Sequence, residues 1–347
     1  MTDSINNSTQ STIPHQYLQK LCSSTLKLGS RGSMLALWQA NHIKERLESS
    51  GIKVEIQIVK TKGDKLLDAP LAKIGGKGLF TKELEHKLLD GEIDLAVHSL
   101  KDVPVNIEPK LCLAAITARE DSRDCFVSKK YPSLQDLPAH AKVGTTSLRR
   151  SMQIKTMRPD LDTQNLRGNV QTRIQRLING DFHAIILAMA GLKRLEISSN
   201  GTENGHTHSP YYIVPFHTSE MIPAMGQGAL GIECRDIKHF PESRDQAIYH
   251  ILSSLHDEES AVCCLIERSF IRLLGGSCQS PIGIHAQTLS SQTIQIECIA
   301  GNLEASKILR DKKICHKNDV QYTLQDMVNE LKQQGIEFLL QEVAQET

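Results

Sequence analysis

The chain has 347 residues, with 40 Lys+Arg against 40 Asp+Glu and a formal net charge of zero. At about 100–200 residues per domain that length implies two or three domains, and the balanced charge argues against a general nucleic-acid binder, whose binding domain is clearly basic. Aromatic residues are only 4% of the chain, which argues against an aromatic base-stacking surface. The longest nearly unbroken apolar stretch, Ala184 to Leu192, is too short to cross a bilayer.

Residues 1–24 are rich in Ser, Thr, Asn and Gln. They lack a basic start followed by an apolar run, so no secretory signal is read and a disordered tail is expected. Leu26 to Leu28 then predicts a short strand entering Gly29-Ser30-Arg31-Gly32-Ser33. Ser33 is a helix N-cap candidate, followed at helical spacing by Ala36, Ala40, Ile43 and Leu47, with Gly51 as the stop. Val54 to Ile58 alternates as a strand does. A strand–helix–strand unit of this kind predicts parallel pairing. A loop containing Gly75-Gly76-Lys77-Gly78 leads to a helix over Thr81 to Asp90 and a strand over Ile93 to Val97. That strand ends in His98-Ser99-Leu100-Lys101-Asp102, and Pro104 blocks its continuation. Polar residues just past the C-terminal end of a parallel strand occupy the usual ligand crevice.

A second α/β region follows. Val143 leads into Gly144-Thr145-Thr146-Ser147-Leu148-Arg149-Arg150 and a helix; Leu161 to Leu166 leads into Arg167-Gly168-Asn169 and a second helix. Ala184 to Ala188 is an apolar strand leading to Gly191-Leu192-Lys193-Arg194. Residues 198–209 read as a polar surface loop. The segment Ala229 to Cys234, after Gly226-Gln227-Gly228, is placed to return to the first sheet. A helix over Asp257 to Leu274, three strand-like runs and a helix-rich end then predict a small α+β domain.

Anion binding is the clearest chemical theme. Arg31, Arg149, Arg150, Arg167, Arg173 and Arg194 all fall at or near strand-to-helix turns, where backbone N–H groups and the helix dipole favour anions and Arg adds bidentate pairing. Each alone also reads as a solvated helix cap, and Thr145-Thr146-Ser147 alone reads as simple capping. Lys101-Asp102 reads either as a surface ion pair or as a carboxylate that stabilises a cationic intermediate. Of nine cysteines none forms a CxxC pair or zinc-type spacing. Cys112, Cys125, Cys234, Cys263, Cys264 and Cys298 sit in apolar or helical stretches and read as reduced, buried thiols. Cys278, bracketed by Gly275-Gly276 and Pro281, reads instead as a nucleophile or an attachment point.

Taken together, Arg31-Gly32-Ser33, Gly75 to Phe80, His98 to Pro104, Gly144 to Arg150, Leu166 to Val170, Ala190 to Arg194, Gly226-Gln227-Gly228 and the Cys278 turn resemble the porphobilinogen deaminase (hydroxymethylbilane synthase) family. The resemblance implies two α/β lobes of the type II periplasmic-binding-protein kind plus a small α+β C-terminal domain. It implies a division into a 1–24 tail, a discontinuous first domain of 25–117 and 218–240, a second of 118–217 and a third of 241–347. It further implies a monomeric, cytoplasmic transferase of tetrapyrrole (heme) biosynthesis that binds neither nucleic acid nor membrane nor metal. Its small-molecule substrate is porphobilinogen, four of which are joined head to tail with loss of ammonia. They are joined on a covalent dipyrromethane cofactor, held by a thioether to Cys278, and released as linear hydroxymethylbilane. On the same ground Asp102 is the catalytic carboxylate. Ser99, Lys101, Thr145, Thr146, Ser147, Arg149 and Arg150 hold the cofactor, and Arg31, Ser33, Arg167 and Arg173 receive substrate. Ser277 stands where the family usually has Gly, which limits positive φ beside the anchor. Two rival readings are a two-lobed anion-binding module and an enzyme using Cys278 as a transient nucleophile.

Overall fold

The computed structural model describes residues 17, 19, 21, 24–65, 78–198, 211–276 and 280–346. The N-terminal third opens with β1 (Leu26–Ser30), α1 (Met34–Glu48) and β2 (Val54–Ile58), followed by α2 (Lys82–Leu89), β3 (Leu95–Ser99) and β4 (Leu111–Ile116). β1 pairs in parallel with β2, from Leu26 opposite Val54 to Ser30 opposite Ile58, and with β3. Ser33 caps α1, its hydroxyl accepting from the Ala36 N–H, and the buried face of that helix carries Gln39, Ala40, Ile43 and Leu47, the period that the sequence displays.

The chain then crosses to a second sheet built from β5 (Asp124–Ser128), β6 (Lys142–Gly144), β7 (Asp162–Gln164), β8 (Ala184–Ala188) and β9 (Tyr212–Pro215). The helices α3 (Leu148–Met157), α4 (Val170–Ile178) and α5 (Met189–Arg194) follow β6, β7 and β8. It crosses back to β10 (Leu230–Arg235), which enters the first sheet antiparallel between β3 and β4. The two sheets have matching orders, β2-β1-β3-β10-β4 and β7-β6-β8-β5-β9. In each, the fourth strand comes from across the junction and runs antiparallel to the third. This is a pair of α/β lobes joined by two crossovers.

A third sheet, β11 (Ile282–Thr288), β12 (Thr293–Gly301) and β13 (Ile308–His316), is wholly antiparallel. Its apolar face packs with α7 (Glu258–Leu273), α8 (Val320–Gln333) and α9 (Ile336–Glu346) around Phe270, Ile284, Ile296 and Met327. No helix among the described residues is long and apolar enough to cross a membrane.

Two boundaries differ from expectation. Tyr17 and Leu21, in the range expected as a disordered tail, are helical; Leu21 is fully buried in the first lobe and the Tyr17 ring stacks on His250 at 4.3 Å. Spaced i and i+4, they share one helical face, which brief polar surroundings hid. The helix α6 (Ser243–Ser253) falls in the range expected for the third domain. Its apolar residues Ala247, Ile248, Ile251 and Leu252 nevertheless pack in the first lobe's core beside Leu95 and Ile232.

Candidate functional site

In the first lobe the carboxyl ends of β1 and β3 present the site. Arg31 lies with its guanidinium carbon 4.1 Å from the Phe80 ring centre. Gln39 on α1 donates to the Ser99 hydroxyl at 2.9 Å. Beyond Ser99 the chain tightens into a 3-10 turn over Leu100–Asp102. Leu100 N–H donates to the Ala229 carbonyl at 3.0 Å and Val103 N–H to the Leu100 carbonyl at 3.1 Å. This hydrogen bonding directs Lys101 to Gln227, whose side-chain oxygen accepts from Nζ at 3.2 Å. Asp102 is exposed, and its charge favours the protonated forms of both Lys101 and Arg173.

In the second lobe the turn after β6 places Thr145, Thr146 and Ser147 together. The buried Thr145 hydroxyl accepts from the Ser147 N–H, Ser147 caps α3 by accepting from the Arg150 N–H, and Thr146 donates to the Leu166 carbonyl. Arg149 and Arg150 turn inward. Arg150 donates to Asp124 Oδ1 from Nε and Nη2 at 3.0 and 2.7 Å, and to the Ile186 carbonyl from Nη1. Arg149 Nη1 sits 2.7 Å from Asp124 Oδ2 and donates to the Ile222 carbonyl, while its buried Nε has no partner among the described residues. Arg149 and Arg150 hold the Asp124 carboxyl far below the usual range against the opposing effect of its burial. Arg167 is half-buried on the turn after β7, and its charge acts on Arg173, which donates to the Gly168 carbonyl at 2.8 Å.

The lobes meet at a cavity of about 90 Å³ whose lining includes Ser99, Lys101, Arg150, Arg173, Arg194 and Gln227. Positive charge is concentrated there. Burial, followed by the nearby Arg150, pushes Lys101 down to about 8; burial and Arg150 likewise push Arg173 down to about 10, and burial alone lowers Arg194 to about 10. Cations crowded enough to weaken their own protonation form a site that an anion relieves. The structure thus brings Ser99, Lys101, Arg150 and Arg173 to one cavity, with Asp102 close enough to act electrostatically on two of them. Ser33 serves as the cap of α1, and Thr146 bonds the Leu166 carbonyl across to the next turn. Cys278 and Ser277, like Gly75 to Lys77, lie outside the described residues; the chain reaches them from the end of α7 through Gly275, at φ +68°, and Gly276.

Sequence reasoning gave no role to the residues that brace this site. Gln227 donates to Asp124 Oδ1 at 2.9 Å and to the Ser122 carbonyl at 2.7 Å while accepting from Lys101. Gly228 beside it is at φ +100°, and a Cβ there would lie 2.3 Å from the Glu120 carbonyl oxygen, so no other residue fits the turn. Arg119 donates to the Gln227 carbonyl and makes a two-pronged pair with Glu267 at 2.7 and 3.1 Å. Glu267, fully buried, also accepts from the Gly226 and Ala286 N–H groups. Burial opposes its ionisation, yet Arg119 and His285 hold it down to about 2. Arg119 begins a charge-rich stretch, and its partner stands 148 residues away, beyond any local pattern.

Two family models match the chain: "Porphobilinogen deaminase, dipyromethane cofactor binding domain" over residues 26–240 and "Porphobilinogen deaminase, C-terminal domain" over residues 261–332. The porphobilinogen deaminase of Helicobacter acinonychis is 53% identical over 320 residues, covering 92% of this chain and 98% of its own. That of Helicobacter hepaticus is 56% identical over 287 residues, covering 82% and 84%. Among solved structures, the periplasmic VFT2 domain of Bordetella pertussis BvgS is 12% identical with a TM-score of 0.39, covering 69% of this chain and 89% of its own.

Proposed function

The chain belongs to the porphobilinogen deaminase family, and we propose that its chemistry runs in the cleft between the lobes, with Asp102 as the catalytic carboxylate and Cys278 as the cofactor anchor. The activity is that of a transferase of tetrapyrrole biosynthesis. Four porphobilinogen molecules are joined head to tail with loss of ammonia, and linear hydroxymethylbilane is released by hydrolysis. The cofactor is dipyrromethane, whose terminal pyrrole supplies the carbon to which the first substrate unit is joined.

The crowded cations fit that group. Pyrrole rings of this kind carry acetate and propionate side chains, to which Lys101 and Arg173 of the cavity lining offer charge and Arg149, whose buried Nε has no partner among the described residues, offers a donor. Ser99, Thr145, Thr146, Ser147 and Arg150 complete the proposed holding set, and Arg31, Ser33, Arg167 and Arg173 the set that receives substrate carboxylates. As ammonia departs from the aminomethyl carbon of porphobilinogen, positive charge spreads from that carbon into the ring. Asp102 accepts from the pyrrole N–H and offsets this charge as it develops. Its exposure leaves it open to an incoming ring.

The single observation that carries this placement is the convergence of Ser99, Lys101, Arg150, Arg173 and Arg194 from both lobes on one cavity next to Asp102. We further propose a monomeric, cytoplasmic enzyme acting on a small molecule. For the domain division, 25–117 with 218–240, 118–217 and 241–347 serve as units, with the packing of the 243–253 helix favouring a start of the third unit after it. A denaturing mass spectrum tests the assignment. The wild-type chain is expected to exceed its sequence mass by a two-pyrrole adduct located on the Cys278 peptide, and Cys278→Ser to lack it. A wild-type chain of bare sequence mass, or an adduct that survives Cys278→Ser, would refute the anchor.

A further inference from the structure

One helix grips the segment that follows Asp102 and precedes the anchor turn in the chain. α7 begins at Glu258, beside the first lobe, and ends at Leu273, three residues before the described chain stops short of the anchor turn. Near its middle Arg268 is 2% exposed, yet among the described residues its side chain makes hydrogen bonds only to carbonyls. It donates from Nη1 to the Val103 carbonyl at 2.9 Å and from Nη2 to the Pro104 carbonyl at 2.6 Å. One turn later Arg272 donates to the Val105 carbonyl at 2.9 Å. Three consecutive carbonyls, immediately after Asp102, are therefore gripped by two guanidinium groups spaced i and i+4 on one helix face.

The arrangement is costly for stability alone. A buried guanidinium without a hydrogen-bonded carboxylate carries a desolvation penalty, and apolar replacements of buried charges are often neutral or stabilising. Val103 is itself buried, and Val105 packs on the third unit's core, so apolar contact already holds this segment to the third unit. What the guanidinium adds is direction. It fixes the two peptide planes that follow Asp102, which adhesion through side chains leaves able to rotate. The neighbouring Glu267 binds Arg119 of the crossover and Ala286 of β11, so the same turn of α7 is rigid on its other side.

We infer that Arg268, supported by Arg272, is a positioning residue for the known reaction: it registers the Asp102 turn against the helix whose end delivers the Cys278 anchor, so that carboxylate and tethered chain are held on one ruler. This rests on the assignment of Asp102 and Cys278 made above.

The test uses full-length holoenzyme. Arg268→Met keeps the stem and removes the fork; it is expected to carry the full two-pyrrole adduct, to bind porphobilinogen with KM within about threefold of wild type, and to lose about 10²-fold in kcat. Arg268→Lys, which reaches one carbonyl, is expected to recover part of that loss. Amide exchange of the segment 99–106 is expected to quicken in Arg268→Met whether or not substrate is present. A fully loaded Arg268→Met chain with wild-type kcat, or with unchanged exchange over that segment, would overturn the inference. Should Arg268→Met fail to fold, the exposed Arg272→Gln decides: a several-fold loss in kcat at constant KM supports the inference and wild-type kcat overturns it. An adduct absent from wild type would instead strike at the anchor assignment.

Discussion

At the carboxyl ends of β1 and β3 the first lobe offers Ser33, Ser99 and an exposed Asp102, whereas the turns after β6, β7 and β8 of the second offer Arg149, Arg150, Arg167, Arg173 and Arg194. The backbones are matched strand for strand, so the chemical difference lies in the turns and in where carboxylates are buried. In the second lobe the carboxylate, Asp124, is fully enclosed and occupied by two arginines. In the first it faces the cleft. A carboxylate enclosed among cations contributes to stability and is spent on the scaffold; one left at the mouth of the cleft remains available to a reacting ring. Arg149 is divided likewise from Arg173, since Arg149 binds Asp124 while Arg173 bonds a backbone carbonyl and lines the cavity; Arg150 does both, binding Asp124 and lining the cavity.

The sharpest way to break this contrast is to remove each carboxylate in turn. Asp102→Ala is expected to lower kcat by about 10³-fold or more, the scale of losing a preorganised electrostatic contact. Its thermal midpoint should hardly move, because exposed sites contribute little to stability. Turnover of porphobilinogen near the wild-type rate by Asp102→Ala would defeat its assignment. Asp124→Asn should do the reverse first. Breaking a buried pair strands charge, here two guanidinium groups, at a cost of about 3–5 kcal/mol, read as a lower denaturation midpoint in urea. The acid limb separates the two as well. Asp124 binds its proton more weakly folded than unfolded, so its contribution is complete above about pH 4 and fades as acid protonates it. Wild type should lose stability on acidification over a range where Asp124→Asn is flatter. Equal urea midpoints for wild type and Asp124→Asn would show that the pair is not structural.

Much of this was legible in the residues. The β1–α1–β2 unit follows from local signals, a capping Ser33, a 3.6-residue apolar period and an alternating strand, and each acts within a few residues. The strand expected over Ile93 to Val97 is found two residues later, as Leu95–Ser99. Asp94 is drawn off to accept from the Lys27 N–H and from Arg244, a partner 150 residues away. The cationic turns were visible too, as positions at helix starts. Their division into scaffold and ligand-facing arginines was not, because Asp124 reads in sequence as one more acid in a charged stretch. Only the crossover that inserts β5 beside β8 buries it beneath α3. Glu267 and Arg268 were hidden for a related reason: on an amphipathic helix, charged residues read as a solvated face, and only tertiary packing turns that face inward.

A gentler probe asks what the cations of the cleft feel when the anionic group is present. In the protein without ligand, Lys101 is pushed down to about 8 by burial and then by Arg150. Its folded pKa lies below its unfolded value, so the folded chain binds this proton less tightly. The protonated amine therefore weakens the fold below about pH 8, and that cost disappears as pH rises toward the ordinary lysine value of about 10.4. Carboxylates in the cleft oppose the effect by favouring the charged amine. Reductively ¹³C-methylated lysines, followed by NMR with Lys101→Arg to assign the resonance, should show a midpoint near pH 8 in Cys278→Ser. The midpoint should rise by at least about one unit in wild type carrying its pyrrole pair, equivalent to about 1.4 kcal/mol of added attraction. Identical midpoints in the two proteins would mean that Lys101 does not face the anionic side chains, and the second lobe alone would then have to hold them.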